Sequence, residues 1–383
     1  MSNKHASLDA LFADIADAIR EKTGETASIA AYYFPDVIRE RLQVIPPPAY
    51  LTFSSPSSFT LAVNDTTKHW DGTLEYSTDT STWSTWDGTT TLSSATSGSD
   101  NVLYLRGTGN TVITGNKNTY KWVLTGSNIA CIGNIESLLD YTTVESGAHP
   151  TMGTSCYAYM FNGCTGLTKA PALPATTLAN NCYQSMFNGC TGLTQAPDLP
   201  ATTLADVCYQ NMFNGCTGLT QAPTLPATTL ANICYANMFS DCTGLTQAPA
   251  LPATTLENNC YAQMFLGCIR LTQAPALPAT TLASGCYNNM FNGCINLTQV
   301  PALPATTLAN NCYQYMFFRC VSLKLSSTQT GEYTVAYRIP ITGTGTTATG
   351  ALGGMFGTTG GTFRGSPEIN TTYYLSNTNT IVG

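Results

Sequence analysis

The pattern of apolar and polar positions changes character twice along the chain. Over residues 7–23, Leu8, Leu11, Phe12, Ile15 and Ile19 recur at helical spacing on one stripe, with Ser7 placed to cap the start and Gly24 just past the end. A second short helix is expected from about Pro35 to Leu42, and Pro46-Pro47-Pro48 reads as a stiff linker. From about Tyr50 to Ala130 the period drops to two. Phe59-Leu61-Val63, Leu74-Tyr76, Leu103-Leu105 and Tyr120-Trp122-Leu124 alternate with polar residues, and Asp71-Gly72, Asp87-Gly88 and Gly115-Asn116 mark turns between them. Short strands at this spacing predict a β-sandwich of immunoglobulin-like type. All four tryptophans lie here, and Trp83 and Trp86 flank the polar pair Ser84-Thr85, so they cannot share one strand face. Core and edge packing is the expected role of these indoles, with a sugar-binding platform at Trp83 and Trp86 as the alternative.

After Ala130 a strict period of 26 residues takes over. Cys156, Cys182, Cys208, Cys234, Cys260, Cys286 and Cys312 form one series, and Cys164, Cys190, Cys216, Cys242, Cys268, Cys294 and Cys320 follow eight residues behind. Seven copies of roughly C-Y-x-x-M-F-x-x-C-T-G-L-T-Q-A-P-x-L-P-A-T-T-L-x-x-x run from 156 to about 325. Self-similarity at this length means a solenoid whose rungs bury each other's apolar faces. Within a unit, Cys182, Met186 and Cys190 stand at i, i+4 and i+8, with Tyr183 and Phe187 beside them, which predicts a short helix with these residues and Leu193 as its buried ladder. Asn180 or Asn181 would cap that helix and Gly189 help end it. Pro197 and Pro200 exclude a helix over Leu193 to Leu199, so a short or irregular strand completes the rung.

Cysteines eight apart on a helix would be separated by about 12 Å, too far for one ion or a disulfide within the unit. Buried apolar thiol ladders are expected, with disulfides between rungs as the alternative. The Tyr and Phe columns are likewise expected inside. Positions that break the repeat carry more information about function: Lys169, Asp198, Asp206, Asp241, Glu257, Arg270 and the pair Phe318-Arg319. Of these, Lys169, Asp198, Arg270, Phe318 and Arg319, together with Trp83 and Trp86, make up the candidate binding surface, against simple drift at solvated positions. Residues 131–155 are expected to cap the first rung. Residues 326–383, where Met355-Phe356 imitates the repeat, are read as a degenerate Gly/Thr-rich C-terminal cap. The fold expected is therefore multidomain α+β. A helical segment (1–46) precedes a β-sandwich (47–130), a seven-rung solenoid (131–325) and the cap.

Only 10% of the 383 residues are charged, with a formal net charge of −7. A negative chain without a Lys/Arg cluster offers little to a phosphate backbone, so no nucleic-acid partner is expected. His5, His69 and His149 lie far apart, and the motifs G-x-S-x-G, H-E-x-x-H, a Walker loop and an EF-hand loop are absent. No enzyme activity, metal or cofactor is expected. Asp9, Asp14 and Asp17 interrupt the N-terminal apolar run, so no secretory signal is read there, and no apolar stretch is long enough to insert in a membrane.

The phrase Met186-Phe187-Asn188-Gly189-Cys190-Thr191-Gly192-Leu193-Thr194 resembles the BspA-like class of leucine-rich repeats, in which an aromatic, Gly-Cys-Thr and Leu mark each rung. This chain departs from it in its 26-residue rung and its L-P-A-T-T-L segment. The resemblance implies a solenoid, built as helix plus short strand, used for adhesion and recognition. Ile15-Ala16-Asp17-Ala18-Ile19-Arg20-Glu21-Lys22-Thr23-Gly24 with Phe34-Pro35-Asp36 resembles the N-terminal segment of bacteriophage and prophage tail-associated structural proteins. Together these imply a virion-surface fibre that leaves the host by lysis. Its residues 1–46 would bind other virion proteins, it would form a homo-oligomer (a trimer), and its solenoid would bind a bacterial surface glycan or protein. A bacterial surface adhesin, a head fibre or decoration protein, and a tail-spike depolymerase are the alternatives.

Overall fold

The computed structural model describes residues 50–382. The helices expected over 7–23 and 35–42, the proline linker and the anchoring segment 1–46 lie outside the described residues. From Tyr50 onward the chain is one compact unit, mostly β with a single short α-helix among the described residues.

The first part carries β1 (Leu51–Ser55), β2 (Thr60–Val63), β3 (Thr73–Ser77), β4 (Ser84–Thr85), β5 (Leu92–Ser93), β6 (Ala95–Ser97), β7 (Asp100–Thr108), β8 (Trp122–Thr125) and β9 (Ile129–Ile132), followed by α1 (Ser137–Glu145) and β10 (Leu167–Lys169). One sheet runs β10-β9-β1-β7-β3-β4 with β6 also on β7, and a second runs β5-β2-β8. Alternation explains the faces: Leu51, Phe53, Leu103 and Leu105 point into the core, as do Leu61, Val63, Trp122 and Leu124 of the second sheet. The boundary expected at 130/131 falls inside β9, which pairs antiparallel with β1 and parallel with β10 of the first rung. One hydrophobic cluster runs from Leu51 through every rung to Leu375. The β-module is therefore continuous with the solenoid core instead of forming a separate domain.

The rungs correct the helix expectation. Residues 179–190 form a chain of four-residue turns, and the backbone hydrogen bonds alternate. The N–H groups of Cys182, Gln184, Met186, Asn188 and Cys190 reach back three residues. Those of Asn181, Tyr183, Ser185, Phe187 and Gly189 instead donate to carbonyls of the next rung: Asp206, Cys208, Gln210, Met212 and Asn214. The even carbonyls in turn accept from the preceding rung, as Cys182 O does from Tyr157 and Met186 O from Phe161. From Asn181 to Cys190 every backbone donor and acceptor is thus used, some locally and some between rungs. Such a turn must reverse its handedness once per four residues, and Asn181, Ser185 and Gly189 have φ of 60°, 54° and 70°. An α-helix tolerates no such residues. The four-residue turn places side chains on the same face at i, i+4 and i+8, which is the spacing that imitates a helix.

Inside the turn chain the ladder residues Cys182, Tyr183, Met186, Phe187, Cys190 and Leu193 are all buried. Tyr157 to Tyr313 stack with centroids 5.6–5.8 Å apart and ring planes within 9°. Phe161 to Phe317 form a parallel column at 5.7–5.8 Å. The opposite side of each rung, the L-T-x-x-P-x-L-P-A-T-T-L segment, is held by isolated parallel bridges such as Gln195↔Gln221, Thr203↔Thr229 and Thr255↔Thr281. Its prolines have no N–H to give.

Both ends are closed. Ile113 and Thr114 donate to Cys156 O and Trp122 donates to Met160 O, so the first rung's outward carbonyls are occupied. Trp122 meets Phe161 edge-on at 6.1 Å and 89°, ending the Phe column. At the far end lie β11 (Gln299–Pro301), β12 (Lys324–Ser326), β13 (Tyr333–Ile339), β14 (Gly360–Gly361), β15 (Thr371–Ser376) and β16 (Thr380–Val382). Phe356 extends the Phe column onto Phe317 at 5.6 Å, and Tyr313, Tyr315, Phe317 and Arg319 donate to carbonyls of Ala351, Gly353, Met355 and Gly357. Residues 351–357 are thus a partial eighth turn chain, closed edge-on by Tyr337 at 6.3 Å and 76°.

Two substitutions test this architecture. Phe239→Asp places a charge inside the central column, with about 3–5 kcal/mol lost from the ring alone and the desolvation of an unpaired carboxylate added. Thermal unfolding should become less cooperative and start far lower; an unchanged transition would overturn the inward placement of the Phe column. Ile233, a β-branched residue at φ 60°, occupies the position that Asn181, Asn259 and Asn311 hold in other rungs. Ile233→Asn should raise stability by about 1 kcal/mol, read as a higher denaturant midpoint.

Candidate functional site

The chemically reactive side chains of the repeat are turned inward. All fifteen cysteines are free and buried. Burial pushes Cys164 and Cys312 up to about 11 and Cys182, Cys216, Cys234 and Cys286 up to about 12, so each keeps its proton at neutral pH. The protons of the second column have a use that spacing alone did not reveal. Cys190, Cys216, Cys242, Cys268, Cys294 and Cys320 each donate S–H to the Phe carbonyl of the preceding rung at 3.0–3.1 Å. Burial likewise raises the tyrosine column, Tyr183 and Tyr209 among them. Among the described residues no three His, Cys, Asp or Glu side chains gather as a cation site.

What faces outward is the proline side. Between consecutive rungs it forms shallow apolar grooves. One of about 300 Å³ lies between Pro223-Pro226 and Pro249-Pro252, and one of about 380 Å³ between Pro252 and Pro275-Pro278. A third, about 760 Å³, lies between the first two rungs, on a floor of Pro171, Ala172, Pro174, Pro197 and Pro200 beside Ile132 and Gln195. Lys169, at the end of β10, and Asp198, on the next rung, both line it and both are exposed. The groove is open to solvent, with an apolar floor and two charged side chains among its lining.

The other predicted positions are scattered. Arg270 is exposed on the fifth rung beside Ile269, itself 39% exposed, away from the Lys169–Asp198 groove. Phe318 is half-buried; Tyr315 meets it edge-on at 5.6 Å, and the Arg319 guanidinium lies 5.5 Å from its ring. Arg319 sits at φ 61°, a position that is Gly in five of the seven rungs. Trp83 is half-exposed, but the Arg106 guanidinium, itself paired with Glu75 at 2.8 Å, covers its ring at 4.1 Å. Trp86 corrects the platform expectation: it is 1% exposed, its indole N–H donates to Thr90 O, and it packs between Trp70 and Trp122. The Trp86 backbone N–H donates to Leu74 O and its ring is covered by Trp70 and Trp122, partners distant in sequence that the alternation of the flanking residues could not reveal.

No family model, characterised relative or solved structure matches the chain.

One titratable pair was not legible in the sequence. His149 Nδ1 donates to Glu136 Oε2 at 2.7 Å, and the Glu136 carboxylate is 2% exposed. Burial raises Glu136 above the usual carboxylate range, opposed by His149. The two are thirteen residues apart across α1, whose turns bring the loop back onto its own start. The pair lines a smaller cavity of about 310 Å³ with Thr176 and Thr177.

The thiols set an alkaline limit. The unfolded chain releases its thiol protons from about pH 9, whereas the folded chain holds the cited ones to about pH 11–12. Through that window the folded state binds more protons, so stability falls as pH rises, by up to about 1.4 kcal/mol per pH unit for each thiol. Circular dichroism should show a steep cooperative loss between pH 9 and 11, and a disulfide-exchange reagent at pH 8 should label no thiol before unfolding. Fast labelling of the native protein would contradict the burial.

Proposed function

We propose that this chain is a non-enzymatic binding protein, a surface-exposed fibre of a bacteriophage particle. Its BspA-like leucine-rich-repeat solenoid attaches to a component of the bacterial surface through the proline face. One observation carries the reading: the repeat buries every thiol and every aromatic of its consensus and leaves outward a series of proline-lined grooves between rungs. A row of similar weak sites on a stiff support binds by multivalency, because each occupied groove raises the effective concentration at the next. The continuous core from Leu51 to Leu375 supplies the stiffness. The N-terminal phrase at Ile15 to Gly24 supports attachment to a virion, in which residues 1–46 would hold the fibre to its neighbours as a homo-oligomer. Among the described residues no helix is long and apolar enough to cross a membrane.

The test is electron microscopy of purified particles labelled with an antibody against the solenoid. Label at tail fibres or baseplate is the expected result. Label on the head turns the protein into a head fibre, and no label on any particle overturns the virion assignment in favour of a bacterial adhesin. Binding of the purified chain to host cells is expected to saturate, and to weaken when Pro249 and Pro252, which between them line two neighbouring grooves, are replaced by Ser. Cell binding unaffected by those replacements would remove the proline face from the reading.

A further inference from the structure

The six segments from Leu167 to Leu308 that read L-T-x-x-P-x-L-P-A-T-T-L contain only two charged residues, Lys169 and Asp198. In the other rungs their positions hold Gln, at 195, 221, 247, 273 and 299, and Ala or Thr, at 172, 224, 250, 276 and 302. Opposite in sign, on neighbouring rungs, the two line the same groove of about 760 Å³ on the proline face. Lys169 makes no ion pair with Asp198 or with any other described residue, and neither side chain has a hydrogen-bond partner among the described residues. Both are exposed. The fold does not need them, since the same rung closes elsewhere with Gln and Ala.

The geometry points to a ligand that is itself a zwitterion: a carboxylate for Lys169, an ammonium for Asp198, and a short uncharged spacer lying on the Pro171, Pro174, Pro197 and Pro200 floor. The free ends of an amino acid or short peptide have this chemistry. This inference deepens the reading of the proline face as the binding face and rests on it. A simple anion would meet Lys169 but be repelled by Asp198, and a simple cation the reverse, so the pair selects against both. A neutral ligand would cover two charges without answering either. The remaining grooves, uncharged between Pro223 and Pro278, would take the apolar continuation of the same partner.

The experiment is a calorimetric titration of the full chain with alanyl-alanine, N-acetyl-alanyl-alanine and alanyl-alanine amide. The unmodified dipeptide should bind about fivefold more tightly than either blocked form, the size of one exposed ion pair. Lys169→Gln should abolish the preference over the amide, and Asp198→Ala the preference over the acetylated form. Both substitutions install residues the repeat already uses at those places, so folding is preserved and unchanged thermal unfolding confirms it. Equal affinity for the three probes, no binding of any, or variants that discriminate like the wild type would each overturn the zwitterion assignment. None of these results bears on where the antibody labels the particle, so the assignment can fail while the fibre reading stands.

Discussion

Everything in this solenoid depends on one backbone constraint: every second N–H of the turn chain has no partner within its own rung. An α-helix satisfies its donors internally and can stand alone. Here Tyr183 and Phe187 must donate to Cys208 and Met212 of the next rung, so a single rung is not a structure. That requirement fixes the rung spacing, and the spacing then stacks like on like. The Tyr and Phe rings lie flat upon their counterparts at 5.6–5.8 Å because their Cα atoms are held one hydrogen bond apart. The second cysteine column adds a side-chain version of the same link, S–H to the Phe carbonyl below. The low charge fraction follows as well, since a column of identical side chains would place like charges at contact distance in every rung.

A chain built this way exposes unmet donors or acceptors at both ends, and the flanking segments exist to meet them. Ile113, Thr114 and Trp122 donate to the first rung, while residues 351–357 accept from the last. Each cap also changes the ring geometry from flat to edge-on, Trp122 at one end and Tyr337 at the other, so the Phe column stops without presenting a bare face. This accounts for a core that runs unbroken through the β-module. β9 is at once the last strand of that module and the first layer of the stack.

The sequence made the period, the inward columns and the imitation at Met355-Phe356 legible, because all three are matters of spacing. It misled about the rung itself. A four-residue turn and a 3.6-residue helix both bring i, i+4 and i+8 to one face over so short a stretch, and Asn181 and Gly189 are apt helix caps for the same reason they are apt left-handed residues. The signal that separates the two was present: Asn, Ser or Gly at 181, 185 and 189, and again at Asn211 and Gly215, recurs at every fourth residue, whereas a helix uses such residues only at its ends. For the candidate site, breaks in the repeat identified Lys169 and Asp198 but not their proximity. They are twenty-nine positions apart, and only the stacking register brings position 198 beside the groove that 169 lines. Trp86 failed for the converse reason: its burial depends on a tertiary partner, Trp122, that no local pattern encodes.

The two sides of a rung therefore divide labour by their backbone chemistry. On the turn-chain side, paired hydrogen bonds between rungs leave little freedom, and even the residues that break the pattern, Asp241 and Arg319, must accept a left-handed φ of 56° and 61°. On the proline side, rungs are joined at isolated bridges, such as those at Gln195 and Thr203, in place of a continuous ladder. Prolines hold that segment extended by their fixed φ rather than by pairing, so a side chain there can be exchanged without disturbing the stack. That tolerance is where Lys169 and Asp198 arise. A surface joined by isolated bridges can exchange a side chain one rung at a time, because no neighbouring pair is lost when it does.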